Sequence, residues 1–544
     1  MLHARRLSAA ERVACCGCLS AAICGALSLW CFLLDAPIGP GMAAVLVLGV
    51  LLLALAYRKG IPLGLDAAGW QIASFWILFL GELVVLEAVL PSFGGAGWFA
   101  DWWVHFHRSL VYANLVPVAD VARACADPRL HCVAPVYDRG VMTARTPLFN
   151  LLAGMPLSLD HGRIAAYQIS AMVWTSVVAG PIVLLAQRRG LRAGWLAGAL
   201  LLANPHLVHM AIYPWSTVLT VAFEVLAVYW LLRLRDGARW AGAAVVFSLG
   251  IAVFTHDSAL IYVFAIAVYL AIWRRPSWGE WRSMLTGLLL VFLVTLPWIA
   301  WGIHTYGWTT VLHSSPATYA GYPGAQVWVR EKIDGMIYSF VPMPLAHSLA
   351  VAPFANQQAL WSTVNSALEL WFDSYPGALG VVAALLLLCW YPRARLGKDS
   401  ARLGWCVAIC AALGSVLLDP AILQGGAAQN ALDGAVAIGI ALLAAAIPAR
   451  AQFAVLLAVG LEAALVFALY LGYLSLGPWK SNPNTFVLAG MKQRLLSETL
   501  GRPGIALLVV AVLGMAAIVL CLGAASRRAW RPNHYPQIML SAPS

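Results

Sequence analysis

Asp101 and Arg145 are the residues whose type and setting most suggest chemistry. Asp101 stands in Trp98-Phe99-Ala100-Asp101-Trp102-Trp103-Val104-His105-Phe106-His107-Arg108, and Arg145 in Arg145-Thr146-Pro147-Leu148. If the first stretch opens a helix, Asp101 sits at its N-terminus, where a carboxylate is favoured, and His105 follows one turn later on the same face. A carboxylate held at a membrane surface can serve as a general base. A guanidinium ahead of a proline turn can clamp phosphate oxygens in pairs. Both residues also have structural readings. Asp101 suits the N-cap of an interfacial helix with Trp102 and Trp103 in an aromatic belt, and Arg145 suits a side chain reaching lipid headgroups. Asp138, in Tyr137-Asp138-Arg139-Gly140, is a reserve acid in the same segment. Farther along, Tyr213-Pro214-Trp215 and Thr255-His256-Asp257-Ser258 mark turns, the second of which also reads as a helix N-cap beside a histidine.

Composition says what must position these groups. A soluble domain carries about a quarter charged residues, whereas these 544 residues are 62% hydrophobic and 10% charged. That excludes a soluble enzyme, a disordered chain and a disulfide-stapled mini-domain. Apolar runs near twenty residues, rather than short alternating segments, favour an all-α polytopic membrane protein over a β-barrel. About fourteen segments are long enough, or nearly so, to cross roughly 30 Å of hydrocarbon. They lie near 14–34, 41–57, 70–90, 164–186, 192–210, 216–234, 239–255, 258–273, 283–301, 377–392, 403–419, 429–447, 451–475 and 504–523.

With the N-terminus inside, most of the 34 Lys and Arg fall in short inner connections such as Arg58-Lys59, Arg188-Arg189, Arg233-Leu234-Arg235 and Arg274-Arg275. The net charge of +11 is therefore a topology signal, and no nucleic-acid partner is implied. Both termini are expected on the cytoplasmic side. Long external segments lie at 91–163 and 302–376, with a shorter one at 476–503, and the external side as a whole, with the outer span ends at His206, His209 and His256, collects ten of the 12 histidines. Polar groups gathered at one membrane face suggest a site there. Nine of the 11 cysteines lie in spans, whereas Cys125 and Cys132 share the first external loop, where an oxidising compartment permits a disulfide. No metal site is expected, because His105 and His107 lack a third ligand at suitable spacing and a divalent ion has no further support.

The third span, the external acid at Asp101 and the Arg145-Thr146-Pro147-Leu148 element before the next span together resemble the GT-C superfamily of membrane glycosyltransferases. The likeness is to the branch holding protein O-mannosyltransferases and the lipid A aminoarabinose transferase. It is one of layout over roughly 70–376, with Asp101 followed by Trp102 rather than a second acid and with Arg-Thr-Pro in place of Arg-Pro-Pro. It implies a catalytic module at 61–376 whose two large external loops carry interfacial helices, and it leaves the N-terminal hairpin at 1–60 and the C-terminal helices at 377–544 uncovered.

A glycosyltransferase on the external face of a bacterial inner membrane would take its sugar from a polyprenyl-phosphate donor in the bilayer. It would pass that sugar, with inversion, to a hydroxyl of a glycan, lipid or protein, without a cofactor. On this reading Asp101 is the base, Arg145 binds the donor phosphate, and Trp102, Trp103, His105, Asp138, Tyr213, His256 and Asp257 shape the sugar and acceptor pocket. Two alternatives stand beside it. A lipid-linked-sugar flippase or transporter would use buried charges such as Glu82, Glu224 and Glu462. An O-antigen ligase or polymerase would carry its main external loop late in the chain.

Overall fold

The computed structural model describes residues 7–39, 64–89, 101–118, 142–160, 164–212, 215–313, 375–390, 402–409, 429–448 and 451–476, with isolated positions between them. Within these residues the regular structure is helical throughout. In chain order the helices are α1 (Ala9–Leu33), α2 (Ala67–Val89), α3 (Asp101–Tyr112), α4 (Leu148–Leu159), α5 (Ile164–Ser176), α6 (Ala179–Gln187), α7 (Leu191–Leu202), α8 (Pro205–Ile212) and α9 (Thr217–Arg235). They continue with α10 (Ala241–Thr255), α11 (Leu260–Trp273), α12 (Trp278–Tyr306), α13 (Trp308–His313), α14 (Tyr375–Leu379), α15 (Val381–Trp390), α16 (Gln429–Ala446) and α17 (Gln452–Leu476).

Five helices among the described residues are long and apolar enough to cross a membrane, or six if the bent pair α7–α8 is one span. The rest of the expected spans appear as shorter apolar helices or fall on residues outside the description. The 192–210 span is broken, with α7 and α8 meeting at 62°. Pro205 cannot donate to α7 and starts a new helix instead. Asn204 caps that helix by accepting from Leu207 N at 2.8 Å, while its Nδ2 donates to Ala378 O at 2.9 Å at the end of α14.

Helix α9 is the hub, buried along nearly its whole length between α6, α8, α10 and α16. At the other extreme, α12 leaves Leu285, Leu289, Leu293 and Leu296 exposed, a face suited to lipid rather than to water. Helices α10 and α12 pack through Gly287, where a Cβ would collide with the Ala243 backbone. Ser283 Oγ ties the pair by accepting from Ala243 N at 3.0 Å and donating to Trp240 O at 3.1 Å.

Charged residues gather at one end of the bundle. Ser8 and Glu11 form a capping box on α1. Glu11 also meets Arg233 Nε at 2.9 Å and accepts from Tyr229 Oη at 2.8 Å. Arg188 pairs with Asp236 at 2.6 Å and Arg274 with Glu280 at 2.7 Å. Chain direction puts the start of α3, the Arg145 turn and His256 at the opposite end. One expected buried charge finds a local explanation here. Glu462 on α17 accepts from Val381 N at 2.6 Å and Val382 N at 3.0 Å, capping the start of α15.

Candidate functional site

The helix expected after the third span begins at Asp101, as its sequence implies, but it does not simply lie along a surface. The α3 face bearing His105, Arg108, Ser109 and Tyr112 is buried, and α3 packs chiefly on α4. Helix α4 itself falls inside the first external segment, yet Leu148, Phe149, Asn150, Leu151 and Leu152 are fully buried against α1, α3 and α5. Its twelve residues are too short to cross a bilayer, and its apolar run is spent on packing inside the bundle.

His105 is the centre of the site. Its Nδ1 lies 2.8 Å from Asn150 Oδ1, and its Nε2 has no hydrogen-bond partner among the described residues. A carboxamide oxygen only accepts, so Nδ1 carries the proton and Nε2 keeps its lone pair. Burial holds the His105 pKa well below the ordinary imidazole value. The Arg145 cation pushes it farther down, the bond to Asn150 opposes this, and Arg108 and His256 add smaller downward pushes. The ring is therefore neutral, and two guanidiniums reach it electrostatically from different elements, Arg108 from α3 and Arg145 from the turn before α4.

The Arg145 turn is fixed from α12. Met142 N donates to Tyr306 Oη at 3.3 Å, and Trp298 Nε1 donates to Tyr112 Oη at 3.2 Å. Phe32 meets both Tyr112 and Trp301 edge-on, with ring centres 5.0 Å apart in each case. These aromatic contacts join α1, α3 and α12 at the end of the bundle that holds Arg145.

His256 closes α10 and opens the next turn. Its Nδ1 accepts from Ser258 N at 3.2 Å and lies 2.9 Å from Ser258 Oγ. The imidazole itself is thus the cap, where the sequence suggested a capping acid. Asp257 is 51% exposed, with Oδ1 3.2 Å from the same Nδ1. Trp215 stacks edge-on to His256 at 6.3 Å. His256 joins the His105 field, while Asp257 stays at the half-exposed rim beside it.

Asp101, Trp102 and Trp103 occupy the first turn of α3, but their side chains lie outside the described residues, as do Asp138, Tyr213, Cys125 and Cys132. Among the described residues no group of three His, Cys, Asp or Glu is arranged to hold a metal ion. Sequence reading missed Arg108 and Asn150. The signal for Arg108 was its place three residues after His105 on the polar stripe of α3. For Asn150 it was a lone amide in Leu148-Phe149-Asn150-Leu151-Leu152, which a buried helix keeps only if something bonds to it.

As assembled, two guanidiniums act electrostatically on one neutral hydrogen-bond acceptor, and guanidinium and imidazole groups of this kind suit a phosphate bearing a hydroxyl-rich group. No protein-family model matches the chain, no curated protein matches it, and no solved structure matches its fold.

Proposed function

We propose that the chain is an integral-membrane glycosyltransferase of GT-C-like design. It moves a sugar from a polyprenyl-phosphate donor to an acceptor hydroxyl on a glycan, lipid or protein at the external face of a bacterial inner membrane. The observation that carries this reading is that Arg145, from the turn before α4, and Arg108, from α3, both act electrostatically on the buried His105. A phosphate leaving group departs as an anion, and fixed guanidiniums stabilise it more than a proton donor does. The unpartnered Nε2 of His105 can accept from a hydroxyl of the sugar or acceptor.

In the transfer, the acceptor oxygen attacks the anomeric carbon as the bond from that carbon to the phosphate oxygen breaks. The electron pair stays on phosphate beside Arg145 and Arg108, and the hydroxyl proton passes to Asp101. Attack from the face opposite the phosphate inverts the anomeric centre once. His105 is the poorer base, because burial and two neighbouring cations disfavour its protonated form. The basic loops then face the cytoplasm, together with both termini.

Protein in lipid bilayers, given a polyprenyl-phosphate sugar and a hydroxyl acceptor, is expected to release polyprenyl phosphate. Asp101→Asn is expected to abolish release while leaving donor binding intact, and Arg145→Ala to slow it by roughly 10²–10³-fold. Undiminished release by Asp101→Asn would remove the base, and undiminished release by Arg145→Ala would remove the clamp.

A further inference from the structure

A second polar cluster lies away from His105, inside the apolar body. Glu224 sits two turns into α9, His206 in the first turn of α8, and Asp433 near the start of α16. All three are buried, at 1%, 1% and 0% exposure. His206 Nε2 and Asp433 Oδ1 are 2.6 Å apart. Neither oxygen of Glu224 has a hydrogen-bond partner among the described residues, nor does Asp433 Oδ2. Gly434 lets α16 come up against this carboxyl, since a Cβ there would collide with Glu224 Oε2 and the Tyr262 hydroxyl.

The charges do not balance. With Asp433 and Glu224 ionised and His206 protonated, the cluster would keep one buried negative charge, which a low-dielectric interior disfavours strongly. Something must neutralise it. A metal ion lacks a ligand set, because no group of three His, Cys, Asp or Glu among the described residues is arranged to hold one. An organic cation needs room, and Gly434 packs directly on Glu224 Oε2. A proton needs neither.

No Lys or Arg from the described elements packed on this part of α9 is shown beside Glu224. Among the described residues, Asp433 from α16 acts on Glu224, the Tyr262 hydroxyl from α11 lies at the same glycine, and His206 from α8 holds Asp433. His209 also lies on α8. Helices α5, α6 and α10 carry no Asp, Glu, His, Lys or Arg. From α1, Glu11 is engaged with Arg233 and Tyr229 at the far end of α9.

We infer that Glu224, Asp433 and His206 form a proton-binding centre within the membrane, which holds one proton on Glu224 beside the Asp433–His206 pair. The centre sits where the bent span is joined. His206 is on α8, the displaced half of that span, which Asn204 couples to α14. Loss of the proton sets two carboxylates against each other at this joint and loosens the seat of α8. The inference is independent of the glycosyltransferase reading.

The test is infrared spectroscopy of the full-length protein in lipid, titrated with pH. A protonated-carboxyl band is expected near neutral pH, absent from Glu224→Gln and lost on alkaline titration. His206→Gln breaks the Asp433–His206 pair beside Glu224, so the alkaline midpoint is expected to move by about one pH unit or more. No Glu224-dependent band near neutral pH, or a midpoint unmoved by His206→Gln, overturns the centre. If Glu224→Gln does not fold, the unaltered protein can be treated with a hydrophobic carbodiimide, which adds across a protonated carboxyl. Modification of Glu224 that fades at alkaline pH supports the centre, and an unmodified Glu224 at every pH overturns it.

Discussion

Asn150→Ala isolates the contact that sets the chemistry of His105. The side chain it removes is the acceptor, at 2.8 Å, for a ring nitrogen on a residue only 2% exposed. Water does not replace that acceptor in a packed interior, so the cost is the penalty for an unsatisfied buried donor, about 1–3 kcal/mol. If the loss acts through His105, it must shrink once His105 is gone. In a His105→Phe background the same substitution is expected to cost less by about 1 kcal/mol or more. Unfolding in a denaturing detergent can be followed by the reactivity of Cys18 and Cys406, two buried cysteines that open with the bundle. Free imidazole tautomerism in Asn150→Ala is also expected to slow sugar transfer, and with it release of polyprenyl phosphate. An equal stability cost in both backgrounds would refute the claim that Asn150 exists to hold His105.

Three further predictions follow from the packing and charges. Burial pushes the His107 pKa down to about 4 from the usual 6.5. The unfolded chain therefore takes up a proton there that the folded chain refuses. Stability should fall as pH is lowered from roughly 6.5 to 4 and be retained above that window, with His107→Gln flattening the profile in pH-dependent unfolding. Gly287→Ala forces a methyl onto the Ala243 backbone, which cannot rotate away. It should cost about 1–3 kcal/mol, and Gly279→Ala, whose added carbon would meet only the Arg239 side chain, should cost far less on the same unfolding assay. Glu11→Gln weakens the ties to Arg233 and Tyr229 at once and should cost about 1–2 kcal/mol by thermal unfolding, with Tyr229→Phe non-additive to it.

How much of this was legible in the sequence depended on whether the signal was local. Apolar runs of full span length fold as read, with α1, α2, α9 and α12 falling on the expected segments. The helix opening at Asp101 was equally readable, because an acid before an amphipathic stripe is a local signature. Tertiary choices were not readable. The broken span at Asn204-Pro205 depends on carbonyls of α14 more than 170 residues away, as the Asn204–Ala378 separation of 174 shows. Residues 148–159 look like loop followed by span, yet they form a short helix wedged into the bundle, which brings Asn150 to His105. Glu462 and Glu224 read alike as lone acids in apolar helices. Only packing separates the one that caps α15 from the one left without a hydrogen-bond partner among the described residues.

The most direct test of the site is where a lipid phosphate docks. A polyprenyl phosphate bearing a photoreactive group on its first isoprene unit, bound to the protein in bilayers and mapped by mass spectrometry, should cross-link to α3 and to residues 145–150. Excess polyprenyl-phosphate sugar should compete, and Arg145→Ala should lose the cross-link. Labelling confined to the opposite end, around Arg188, Arg233 and Arg274, or labelling that Arg145→Ala leaves unchanged, would contradict a donor site built on Arg145, Arg108 and His105.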